Sequence, residues 1–142
     1  MLYPYGSELS KARLTKLVYL ADWTSSLADR SQLTNIRWLF NHYGPYVEDV
    51  MDAVRSSPYF RVHNTQNNFG SDKQTVSFYG DPSDIELSPR DMQILDYVIN
   101  QTKTMYFKDF IDYVYSTYPV TSNERYSQLD LVQLADQYRR LG

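Results

Sequence analysis

Apolar residues recur at helical spacing near the start of the chain. Leu14, Leu17, Val18 and Ala21, followed by Leu27 and Ala28, predict one long amphipathic helix from Ser7 to about Ala28. Ser7 is the expected N-cap, and Glu8 suits the positive end of the helix dipole. After a polar break, Ile36, Trp38 and Phe40 alternate with Arg37, Leu39 and Asn41, the period of a short strand. Gly44-Pro45 follows. Glycine accepts a positive φ, and proline has the φ of a first helical turn, so the pair predicts a sharp strand-to-helix corner. The helix it opens would run from Pro45 to about Ser56 with Val47, Val50, Met51 and Val54 on one stripe, ended by Pro58.

Alternation then returns at Phe60 and Val62, and again at Val76 and Phe78, around a polar tip from Asn64 to Asp72 that includes Gly70. This predicts a hairpin with a long tip. Ser88-Pro89-Arg90-Asp91 is a helix start: Ser88 caps, Pro89 takes the first helical position and Asp91 completes a capping box. Met92, Leu95, Val98 and Ile99 carry that third helix. A fourth is expected from Phe107 to Tyr118, buried through Phe107, Phe110, Ile111 and Val114 and closed by Pro119. Ser127-Gln128-Leu129-Asp130 opens a last helix built on Leu131, Leu134, Ala135, Tyr138 and Leu141.

These elements describe a mainly α (α+β) domain of about five helices with a small antiparallel sheet, in which the first strand pairs with the hairpin. The helix-strand-helix-hairpin order is that of a winged helix. No repeat, low-complexity tract or boundary divides residues 1–142, so a single domain is expected.

Composition narrows the chemistry. Zero cysteines exclude disulfides and thiolate metal sites. There is no leader-like start and no apolar run of about 20 residues, so a soluble cytoplasmic protein is expected. The two histidines, His42 and His63, fit no metalloprotease pattern, no serine lies in a nucleophile elbow, and the five glycines form no phosphate loop. Neither an enzyme nor a cofactor is therefore expected.

A net charge of −3 argues against a surface built wholly to trap phosphates. As a recognition helix, the segment after Pro45 would bring Glu48, Asp49, Asp52 and a single Arg55 to DNA, and a wing would carry Arg61 and Lys73 beside Asp72. A nucleic-acid face would instead have to come from Lys11, Arg13, Lys16, Arg139 and Arg140, if these share one face. The strongest bias is toward tyrosine, with 14 Tyr against 6 Phe and 2 Trp. Tyrosine offers a large rigid face and a hydroxyl, the chemistry of protein interfaces. The expected binding feature is the corner His42, Tyr43, Gly44, Pro45 and Tyr46 as a partly exposed aromatic anchor, with Trp38, Tyr19 and Trp23 in the core.

The run Lys16-Leu17-Val18-Tyr19-Leu20-Ala21-Asp22-Trp23, and the aromatic strand leading into Tyr43-Gly44-Pro45, resemble the Panacea-domain family of SocA-like antitoxins from bacterial and phage toxin–antitoxin systems. The layout of Leu87 to Val98 and of Thr121 to Leu134 also fits. Two features depart from the family pattern: Tyr46, where a small or β-branched residue is commoner, and the segment Tyr115 to Pro119, which lacks a histidine. The resemblance implies an antitoxin that binds a cognate toxin protein directly, either blocking it or acting as an adaptor that delivers it to a protease, with a protease or chaperone as further partner. The alternative from another class is a winged-helix-like nucleic-acid-binding regulator.

Overall fold

The computed structural model describes residues 8–66 and 72–142. A three-residue strand, β1 (Glu8–Ser10), runs directly into the central helix, α1 (Lys11–Asp29). The side chain of Ser10 accepts the Arg13 backbone N–H at 3.2 Å, so Ser10 is the N-cap of α1. Ser7, expected in that role, lies outside the described residues. At the other end Arg30 takes a left-handed φ of 63°, and its N–H closes on the Ser26 carbonyl at 3.0 Å.

The chain then forms β2 (Trp38–Asn41) and β3 (Gly44–Pro45), α2 (Asp49–Ser56), and the paired strands β4 (Phe60–Gln66) and β5 (Asp72–Phe78). After a 3₁₀ turn at Pro82–Asp84 come α3 (Pro89–Thr102), α4 (Phe107–Tyr115), α5 (Tyr118–Thr121), β6 (Gln128–Leu129) and α6 (Leu131–Leu141). Six helices and two small antiparallel sheets among the described residues make the fold mainly α. One sheet has the order β1-β5-β4 and the other β3-β2-β6. The first strand after α1 does not join the hairpin, as the element order suggested. Trp38 pairs with Leu129 and Phe40 with Pro45, while β1 takes the place beside β5.

Two hydrophobic clusters result. Tyr19, Leu20 and Trp23 of α1 pack with Trp38 and Phe40 of β2, Phe110 and Val114 of α4, and Leu131 and Ala135 of α6. Tyr19, Trp23 and Trp38 are interior, as expected, while Leu14, Leu17, Val18 and Leu27 of the predicted stripe are only partly buried and Ala28 is exposed. A smaller cluster of Met51, Val54 and Val76, flanked by Leu14, Phe60 and Val62, fastens α2 to the β4–β5 hairpin.

Asp22 is fully buried among these apolar groups and is held by donors. Its carboxylate accepts Trp38 Nε1 at 2.9 Å, the Thr34 backbone N–H at 2.9 Å, the Thr34 hydroxyl, and Gln32 Nε2 at 3.3 Å. A buried carboxylate is tolerated when its lone pairs are met in this way. The segment 30–37 is thereby folded back onto α1, which sets where β2 begins.

Several local expectations change. The second helix starts at Asp49 rather than Pro45, because Gly44 and Pro45 continue into a strand paired with Asn41 and Phe40. The fourth helix stops at Tyr115, and Pro119 lies in the first turn of α5 instead of closing the fourth helix. There its missing N–H leaves no bond unmade. Phe107, expected in the core, is 49% exposed. The last helix is capped by Asp130, which accepts the Gln133 N–H at 3.1 Å, and Tyr138 and Leu141 at its far end are exposed. Ser88 does cap α3, accepting the Asp91 N–H at 3.1 Å.

Candidate partner-binding groove

The Gly44-Pro45 corner is a tight β-hairpin with His42 and Tyr43 at its tip. Asn41 pairs with Gly44, Phe40 with Pro45, and the Tyr46 N–H donates to the Leu39 carbonyl at 3.0 Å. Gly44 has φ +100°, as the sequence predicts, and a Cβ there would sit 3.3 Å from the Tyr115 ring. Gly44 and Pro45 are buried, whereas the tip faces outward: Tyr43 is 75% exposed and packs edge-to-face on His42, with ring centroids 4.5 Å apart. Arg125 Nε donates to the His42 carbonyl at 3.1 Å, and Tyr126 OH lies 3.3 Å from His42 Nδ1. The tip is thus braced from the segment before β6.

Tyr46 points from this corner toward the start of α1. The Lys11 and Lys16 ammonium groups lie 5.4 and 5.9 Å from its ring centroid, and its hydroxyl donates to Glu48 Oε1 at 3.2 Å. Two cations on one aromatic ring is a cation–π arrangement. Burial pushes the Tyr46 phenol above its ordinary pKa, while its bond with Lys11 and that cation's charge pull the other way.

Lys16 is only 2% exposed, and desolvation alone lowers its pKa from 10.5 to about 8. Arg13 turns to the neighbouring wall, where its guanidinium donates to the Met105 carbonyl at 3.2 Å and stacks 4.6 Å from the Phe110 ring centroid. Next along that wall, Tyr106 is 84% exposed.

These walls line an open groove with a volume of about 930 Å³ between the start of α1, the hairpin tip, β5 and the α3–α4 connection. Lys11, Arg13, Lys16, His42, Tyr43, Tyr46, Lys73, Tyr106 and Phe107 are among the lining residues, and none of the described lining residues is acidic. Pairing of β1 with β5, with Ser10 opposite Thr75, brings the first turn of α1 beside Lys73 and Gln74. Two sets of residues that lie apart in the sequence, the aromatic corner and the basic start of α1, therefore share one groove.

The remaining basic candidates lie elsewhere. Arg139 donates to the Ser26 and Leu27 carbonyls at 3.1 and 3.0 Å, at the opposite end of α1, and Arg140 pairs with Asp136 at 2.9 Å. Sequence reasoning placed Lys73 on a wing and Phe107 in the core, and passed over Gln74, Met105 and Tyr106 as site residues. The one available signal was Tyr106-Phe107, a pair of large rings immediately before the apolar stripe of α4.

The family model described as antitoxin SocA-like, Panacea domain matches residues 14–119, more than half of the 142-residue chain. The protein belongs to the SocA-like Panacea antitoxin family. Its match contains Lys16, the whole β2–β3 hairpin, Tyr46, Lys73 and the Met105–Phe107 wall, whereas Lys11, Arg13, Arg139 and Arg140 fall outside it. No curated protein and no solved structure matches the chain. Among the described residues no helix is long and apolar enough to cross a membrane, and no group of three His, Asp or Glu is placed to hold a metal ion.

Proposed function

We propose that this protein is an antitoxin that neutralises a cognate protein toxin by direct contact, and that the rim of the α1–hairpin groove is the surface the toxin covers. Membership of the SocA-like family supports the class of activity. The observation that carries the location is the cluster of rigid exposed rings at one mouth: Tyr43, Tyr106 and Phe107 line the same cavity. Exposed aromatics on a rigid frame lose little side-chain entropy on docking and fill partner pockets, the property of interface hot spots. Tyr43 is fixed by the hairpin, and Tyr106-Phe107 by the start of α4. Blocking by surface contact requires no bond-making by the antitoxin, and delivery of the bound toxin to a protease would use the same face.

Charge favours a protein partner over duplex DNA. The start of α2 presents Asp49 and Asp52 beside Glu48 at its N-cap, and the single Arg55 lies 3.8 Å from Glu48 and 3.9 Å from Asp52. Such a helix repels phosphates. The test is co-expression with the product of the adjacent open reading frame, since antitoxins of this family are encoded beside their toxins. Growth should be restored and the two chains should co-purify as a complex. Absence of both rescue and complex would overturn the proposal.

A further inference from the structure

We infer that the interior of the groove is a binding site for a small phosphorylated molecule bearing a planar ring, of the mononucleotide class. This site shares the ring-bearing rim with the proposed toxin surface and adds the lysines that line the same cavity, so the two proposals are tested separately. Its starting point is Lys16. Burying an ammonium without a counter-charge is costly, and buried lysines are normally paired. Among the described residues no carboxylate pairs with Lys16, and its one close partner is the face of Tyr46. Lys16 nevertheless lines a cavity of about 930 Å³, large enough for a nucleotide-sized ligand.

Lys11 and Lys73 share that lining with Lys16, and no described acidic side chain interrupts it. Three lysines lining one space match a dianion better than a single carboxylate, which points to a phosphate monoester. The same lining includes three further rings for a planar group, Tyr43, Tyr106 and Phe107, all outside the Lys11–Tyr46–Lys16 stack. Stacking on such rings contributes about 1–3 kcal/mol per base and tolerates different bases. A phosphate at the floor would give Lys16 its missing counter-charge and draw its lowered pKa of about 8 back up.

The experiment is calorimetric titration of the full chain with adenosine monophosphate, guanosine monophosphate, adenosine, inorganic phosphate and a single-stranded oligonucleotide. Saturable binding of a mononucleotide is expected, with adenosine and phosphate each at least about tenfold weaker. Lys16→Met should weaken it by at least about tenfold, as should Lys73→Glu, whose exposed position leaves folding intact; melting curves check both variants. Affinity should also fall as pH rises from about 7 to about 9.5, because Lys16 loses its proton there. Among the described residues, the other titratable or charged groups lining the space are Lys11, Arg13, His42, Tyr43, Tyr46, Lys73 and Tyr106.

Four results would overturn the inference: no mononucleotide binding at about 1 mM, equal binding by adenosine, indifference to both substitutions in folded protein, or tighter binding of the oligonucleotide than of the mononucleotide. Toxin plays no part in the measurement, so its outcome is independent of whether docking on the rim holds.

Discussion

The indole N–H of Trp38 donates to the Asp22 carboxylate at 2.9 Å, joining the middle of α1 to the first residue of β2 across sixteen positions of sequence. Asp22 also takes the Thr34 backbone N–H, the Thr34 hydroxyl and the Gln32 amide. One buried group therefore fixes where the chain turns back after α1 and, through β2, where the Gly44-Pro45 hairpin stands. Within the run Lys16 to Trp23, the aspartate acts as a structural acceptor and Lys16 as a groove residue.

Asp22→Ala leaves several buried donors unmatched and should destabilise the fold by about 3 kcal/mol. Asp22→Asn keeps the shape but places an amide donor among donors, so a smaller loss of about 1–2 kcal/mol is expected. Equilibrium urea unfolding of the three proteins checks both values. A loss below about 0.5 kcal/mol for Asp22→Ala would contradict this role.

Gly44→Ala should destabilise by about 1–3 kcal/mol, since an alanine at φ +100° is strained and its Cβ would press on the Tyr115 ring. Combining it with Tyr115→Ala removes the contact but not the strain. The double variant should therefore lose less than the sum of the two single losses, as a thermal-unfolding double-mutant cycle would register.

How much of this was legible in the sequence differs from element to element. Ser88 and its capped helix could be read directly because every interaction involved is local. Pro45 could not, because its φ suits a first helical turn and an extended strand alike, and the pairing with Phe40 that decides between them is a tertiary matter. Ser7 and Ser10 are equivalent caps by composition, and the distinction comes from β1 pairing with β5 more than sixty residues away. Phe107 fits a buried stripe, yet it occupies the first turn of α4 where that helix overhangs the groove. The candidate site was half visible. Its two clusters were each recognisable, but their meeting depends on where β2 and β5 hold them.

The pH dependence of stability reports on Lys16. Its folded pKa, lowered to about 8 from 10.5, means that the unfolded chain binds more protons between those values. Stability should therefore rise as pH increases above about 8, when the buried ammonium becomes neutral. Burial also raises the phenols of Tyr19, Tyr46 and Tyr113. Their unfolded forms ionise first above about pH 10, so stability should turn down again there. Lys16→Met should abolish the rise and gain stability near pH 7, as chemical denaturation across the range would record.

Arg139 and Lys16 are both basic, but only Lys16 belongs to the groove. Arg139→Ala removes two hydrogen bonds to the last carbonyls of α1 and should cost about 1–2 kcal/mol of stability. Toxin affinity should be unchanged in the variant, measured well below its melting temperature.

The central claim is that toxin docks on the ring cluster at the groove mouth. Its most direct test is the affinity of purified cognate toxin for the parent chain and for a Tyr43→Ala, Tyr106→Ala double variant, with matching melting curves. Both side chains are largely exposed, so folding should survive. The expected result is a weakening of at least about a hundredfold together with lost protection of cells, about 3 kcal/mol of binding. A folded double variant that binds and protects as well as the parent would contradict the claim.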